Sequence, residues 1–117
     1  MSVTISPADL RFIAATLSSR AGGDGSSPDG LDAPVSLQSA TPSTRAAELG
    51  AIVFTRIPKA PLRRAIALTA MACQLRLDGY MLLAPQGVVV GMVGGLDTGR
   101  VSASAVARWI EDRAIPG

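Results

Sequence analysis

Few residues in this chain could do chemistry. There is no histidine, and the only cysteine is Cys73. The commonest general base and metal ligand is therefore missing. What remains is charge. Between Glu48 and Asp78 there is no acid, yet the stretch holds Arg56, Lys59, Arg63, Arg64 and Arg76. Most of these crowd "RIPKAPLRR", just ahead of the apolar run "AIALTA". A helix starting there would carry roughly +0.5 of a charge from its unpaired N–H groups, which disfavours each nearby cation by about 0.3–1 kcal/mol. Such a start is suited to hold an anion. Arg56, Lys59, Arg63 and Arg64 are therefore the candidate anion- or phosphate-binding cradle. The competing reading is a solvated basic patch whose long side chains lie along an apolar helix. No residue is assigned a catalytic or metal-binding role and no cofactor is implied; the arginines themselves cannot act as bases, since arginine keeps its proton at neutral pH.

Other candidates read as structure. Cys73 falls on an apolar helix face and is expected to be a small buried hydrophobe. Trp109 and Tyr80 are expected to pack in the core. "GMVGGLDTG" has no Lys-Ser/Thr ending and matches neither a phosphate loop nor a dinucleotide fingerprint. "VVGMVGGLDTGRVSASAVARWIEDR" has a flavour of helix-turn-helix, but the connection "GGLDTGRVS" reads as longer than the usual 3–4-residue turn. Its second helix would offer Arg108 and Arg113 against Glu111 and Asp112. A DNA-binding regulator is thus a minor alternative, since phosphate contact is poorly provided for.

The elements that must position the cradle follow from pattern. The 117 residues suit a single domain, 1–117. Hydrophobic content is 48% but aromatic content only 3%, so Ala, Val, Leu, Ile and Met must build the core. Ser6 and Pro7 open a helix over about 7–20, with Leu10, Ile13, Ala14 and Leu17 on one face and Gly22 or Gly23 at its end. Residues 21–43 read as a long flexible loop with a short helical turn near Leu37. Ser43 or Thr44 caps a second helix, about 44–56, burying Ala46, Leu49, Ile52 and Val53 despite Gly50. The third helix runs from Pro61 to Asp78 and stops at Gly79. Leu62, Ile66, Ala70, Cys73 and Leu77 line one face; Leu68, Ala72 and Leu75 line another. A helix apolar nearly all round belongs at the centre of its domain. "YMLLAP" reads as extended. Residues 86–96 are ambiguous: the β-branched run favours a strand, Pro85 favours a helix, and the glycines weaken both. Ser102 caps a last helix, with Val106, Trp109 and Ile110 inward, ending near Arg113. The fold class expected is all-α.

Taken in order, these features resemble a known family. "AAELGAIVFTRIPKAPLRRAIALTAMACQLRLDGYMLLAP" resembles the core of the Fic/Doc family, in its Doc-like (death-on-curing toxin) branch. Family members carry H-[PI]-F-x-[DE]-[GA]-N-[GK]-R, then a long apolar helix and a segment like F-L-R-x-N-G-y. "QLRLDGY" stands at the right distance for that segment. "ISPADL", "GGDGSSPDG" and "TGRVSASAVARWI" are similar to the Doc-like branch as well, so the resemblance covers nearly the whole chain. It implies a compact bundle of about five or six helices around a central apolar helix, with 86–96 helical. Within the motif, Arg56 stands at the catalytic histidine and Ile57 is acceptable. Pro58 replaces the phenylalanine, Ala60 the metal-holding acid, and Leu62 the asparagine. Pro61 stands at the Gly/Ala position and Arg63 at the Gly/Lys position. Arg64 matches the arginine that contacts nucleotide phosphates.

The resemblance implies a toxin–antitoxin protein that has lost its transferase residues. The expected function is non-catalytic binding of a protein partner, either antitoxin-like or another acidic segment, or of a phosphate-bearing ligand. A second copy of the chain is a further possible partner. The alternative is a transferase with altered nucleotidyl or phosphoryl chemistry, for which Asp24, Asp29 and Asp32 are the acids to nominate. No basic segment leads into an apolar run at the N-terminus, and "VVVGMVGGL" is too short to span a bilayer. A cytoplasmic protein away from membranes is expected, and the single cysteine is compatible with that compartment.

Overall fold

Ser6 opens the first helix by a reciprocal cap. Its hydroxyl accepts from the Asp9 N–H at 3.1 Å, and the Asp9 carboxylate accepts from the Ser6 N–H at 3.0 Å. The structure, a computed structural model, describes residues 4–22, 30–31, 35–38, 41–57 and 62–117. Helix α1 spans Pro7–Arg20 and buries Leu10, Ile13 and Ala14. Gly22, with φ of 88°, turns the chain away as expected.

Helix α2 spans Pro42–Arg56 and starts earlier than the sequence suggests. Thr41, not Ser43 or Thr44, is the cap residue, and Pro42 takes the first helical position, which suits its fixed φ. The Thr44 hydroxyl reaches back to the Thr41 carbonyl at 2.9 Å. Ala46, Leu49 and Val53 are buried as expected, whereas Ile52 is only half-buried. Gly50 is a contact point with the next helix: a Cβ there would collide with Met71 Sδ and stand 3.3 Å from Leu96.

Helix α3 spans Arg63–Leu77, and its expected start at Pro61 lies outside the described residues. It packs against α1 and α2 and later against α4, so the central position read from its composition holds. Ile66, Ala70 and Leu75 are buried, but Leu62 and Leu77 at its ends are exposed and Cys73 is half-buried. Gly79, with φ of 91°, ends the helix as expected. The next residues form strand β1, Tyr80–Leu82, which pairs antiparallel with a C-terminal strand β2, Ala114–Pro116. Nothing in the sequence reading anticipated that partner.

Residues 86–96 are helical. Helix α4 spans Gln86–Thr98, with Pro85 at its cap and Gly99, φ 78°, closing it. The β-branched run is overridden by packing, as strand propensity often is. Val93 faces the core, and Gly94 and Gly95 let neighbours approach. Helix α5 spans Ala103–Arg113, and the Ser102 hydroxyl caps it by accepting from the Ala105 N–H at 3.1 Å. Val106 and Ile110 are buried. Trp109 is half-buried, with the Arg113 guanidinium 5.1 Å from its ring centroid.

The fold is thus all-α, five helices with one small sheet among the described residues. Its core has two parts. Leu10, Leu49, Ile66 and Val93 centre one, and Met71, Leu75, Val106 and Ile110 the other. Helix α3 feeds both. Much of the expected loop over 21–43 lies outside the described residues. Within it, Leu31 is fully buried in the first core. No helical turn forms at Leu37: residues 35–38 are irregular, with Val35 and Leu37 half-buried and packed on that core.

A polar network crosses the apolar interior. Gln74 has 0% exposure. Its side-chain oxygen accepts from the Ile5 N–H at 2.9 Å, and its amide donates to Asp78 at 3.3 Å. Asp78 also accepts from Arg45 Nε at 3.1 Å, and Arg45 reaches the Thr4 hydroxyl at 3.1 Å. One network therefore ties the segment before α1 to both α2 and α3. Gln74→Leu keeps the volume but strands a buried N–H, a loss of about 1–3 kcal/mol. Thermal unfolding should move down by several degrees, and an unchanged midpoint would mean that the amide is not needed there.

Candidate functional site

The cradle is built where α3 begins. Leu62 is the only non-glycine with positive φ among the described residues, at 63°. That conformation is unfavourable for a leucine and sets the direction of the first turn. Arg63 and Arg64 follow at once, at the helix end where cations are least welcome.

An acid meets them there. Helix α4 returns along α3 and brings Asp97, in its last turn, beside the first turn of α3. Arg63 donates to Asp97 Oδ2 from Nε at 3.2 Å and from Nη2 at 3.0 Å, and Nη2 stands 2.9 Å from Oδ1. Arg64 donates from Nε to Oδ2 at 2.7 Å. The Asp97 side chain is 3% exposed, that of Arg63 31% and that of Arg64 53%. The carboxylate therefore lies beneath two guanidinium groups, and Arg64 is the outer one. Arg64 makes no further hydrogen bond among the described residues, so its terminal amino groups remain available. Gly94 lies under them: a Cβ there would stand 3.1 Å from Arg64 Nη1.

Arg56 ends α2 and lines a groove of about 480 Å³ between α2 and α5, with Glu48, Ile52 and Ser104. Lys59 lies outside the described residues, as do Asp24, Asp29 and Asp32. The arginines stand out in the sequence, whereas their acid partner Asp97 lies 33 residues beyond Arg64 on another helix and is not among the acids nominated from the sequence. A signal was present. Asp97 is the only acid between Asp78 and Glu111. It also stands at a helix C-terminus, where negative charge is disfavoured.

This pairing decides what the site can do chemically. Burial pushes the Asp97 carboxyl up, but hydrogen bonds from Arg64 and Arg63, with their charge, hold it below the usual carboxylate range. A carboxylate so held is a poor proton acceptor at neutral pH. No group of three or more possible metal ligands occurs among the described residues.

A cavity of about 760 Å³ is an apolar groove between α1 and α3, bordered by Phe12, Leu17, Leu68, Cys73 and Leu77. It offers packing surface rather than convergent polar groups. The helix-turn-helix reading needs one correction. Helix α4 continues through Thr98, so the connection to α5 is only Gly99–Ser102, and its length no longer argues against that motif. The charge objection stands, because Arg108 shares the exposed face of α5 with Glu111 and Asp112. No helix among the described residues is long and apolar enough to cross a membrane.

No family model matches the chain, and neither the curated proteins nor the solved structures contain a match to it.

The lowered Asp97 value has a consequence for acid stability. Its contribution is complete above the unfolded value of about 3.9 and is lost as pH falls through the lower folded value. Thermal unfolding of the wild type and of Asp97→Asn should therefore differ most above pH 5 and converge towards pH 2.5. A gap that stays constant over that range would show that the carboxylate's charge is not involved.

Proposed function

We propose that this chain is a Doc-like, non-catalytic binding protein that recognises an anionic group of a partner through Arg64 at the start of its central helix. The observation that carries this is the Arg63–Asp97–Arg64 cluster. It has two cations for one carboxylate, and the surplus charge sits on the half-exposed Arg64. An arginine held at Nε, with its terminal amino groups making no hydrogen bond among the described residues, is prepared to take a carboxylate or phosphate. The N–H groups of the helix start add to that preference.

The absence of histidine, the alanine at the family's acid position and the pairing of Asp97 all favour binding over catalysis. The Doc-like reading rests on the sequence resemblance, and it makes an antitoxin-like or other acidic segment the partner to expect. A phosphate-bearing ligand would meet the same charge. Neither the altered-transferase reading nor the DNA-binding one gains an observation from the site.

Isothermal titration with a polyglutamate peptide and with pyrophosphate tests this. Arg64→Glu should abolish whatever binding the wild type shows, while Arg108→Gln, on a distant exposed face, should leave it within about twofold. Binding that survives Arg64→Glu would remove the arginine cluster from the function.

A further inference from the structure

The arginine pair already contains an anion. Arg63 presents Nε and Nη2 to Asp97, and Arg64 presents Nε to the same carboxylate. This is the arrangement in which two neighbouring guanidinium groups would clasp one phosphoryl group from either side. Here the protein supplies the acid itself, from 33 and 34 residues away along the chain.

The carboxylate is also placed where an outside ligand cannot readily replace it. It is 3% exposed, and both guanidinium groups cover it. Gly94 lets the Arg64 guanidinium lie close over the last turns of α4, where a Cβ would stand 3.1 Å from Nη1. A diphosphate needs at least two cationic partners. To recruit Arg63 it would have to break the bonds to Asp97 and leave a covered carboxylate beside its own charge. Two like charges brought that close under a protein surface repel, far more strongly than they would in bulk water. A single carboxylate has no such requirement. It can use the two terminal amino groups of Arg64 and leave the Asp97 bonds intact.

We propose that Asp97 is a built-in anion that occupies the second position of the arginine pair, so that the wild-type site takes one carboxylate of an acidic partner segment and not a diphosphate. This rests on the reading of Arg64 as the binding residue and adds the class of ligand and the residue that selects it. Asp97 acts as a specificity-determining residue without touching the ligand: it commits Arg63 and orients Arg64.

The proposal is tested by pyrophosphate titration of the wild type, Asp97→Asn and the double variant Asp97→Asn/Arg63→Gln, with thermal unfolding to establish that each is folded. Asp97→Asn should raise pyrophosphate affinity at least tenfold over the wild-type value or its detection limit. Adding Arg63→Gln should cancel that rise, because the freed Arg63 supplies the second cation. Unchanged or weaker pyrophosphate binding by folded Asp97→Asn would overturn the proposal. So would a rise that survives Arg63→Gln, since it would come from lost charge alone. If Asp97→Asn does not fold, Asp97→Ser is the replacement, with the same outcomes. Failure of the underlying reading looks different: polyglutamate binding would then be indifferent to Arg64→Glu, whatever Asp97 does.

Discussion

An arginine cannot shed its proton, so every guanidinium that this chain draws towards its interior has to be met by a carboxylate. That constraint organises the molecule at two places. Arg45, in α2, is buried against Asp78 at the end of α3. Arg63 and Arg64, at the other end of α3, share Asp97 from α4. The central helix is thus fixed at both ends by ion pairs reaching other elements, with the apolar core between them. No acid lies between Glu48 and Asp78, so Arg63 and Arg64 take their counter-charge from beyond that stretch, while Arg45, which precedes it, pairs with Asp78 at its far edge.

The pair at the start of α3 also resolves an electrostatic oddity. Cations at a helix N-terminus and an acid at a helix C-terminus are each locally unfavourable. Helices α3 and α4 place those two ends side by side, so the misplaced charges neutralise one another and the opposed helix ends face each other favourably. One positive charge is left over, on the more exposed arginine. A surplus at the edge of a satisfied cluster is a recognition feature that costs the fold little, because the buried acid is already paired.

Much of this architecture can be read from the sequence. Ser6 with Pro7, Ser102, Gly79 and Gly22 mark helix ends by local chemistry that does not depend on neighbours. The core faces of α1 and α5 follow from periodicity. The all-round apolar composition of α3 announces its central position. What could not be read depends on tertiary partners. Helix α4 is ambiguous between strand and helix until Val93 has a core to enter and Gly94 and Gly95 have neighbours to admit. Strand β1 has no visible partner until the C-terminus returns to it. Gln74 seems an interruption of an apolar helix until Ile5 and Asp78 are seen around it. The candidate site divides in the same way. The arginines are visible as a local anomaly, but Asp97 is a second anomaly whose relation to them is set only by the antiparallel course of α3 and α4. Both anomalies share one physical signature, charge at the wrong helix end, which pairing across the fold repairs.

The most direct test is of the shared carboxylate itself. Arginine Nε–H groups that donate to a covered carboxylate exchange slowly with water, and NMR can follow Arg63 and Arg64 individually after assignment by substitution. Both Nε–H signals should be protected at neutral pH and lose that protection together as acid protonates Asp97, while the terminal amino groups of Arg64 exchange freely throughout. Rapid exchange of both Nε–H groups at neutral pH would contradict the shared-anion arrangement and, with it, the presentation of Arg64 as the outward-facing binding group.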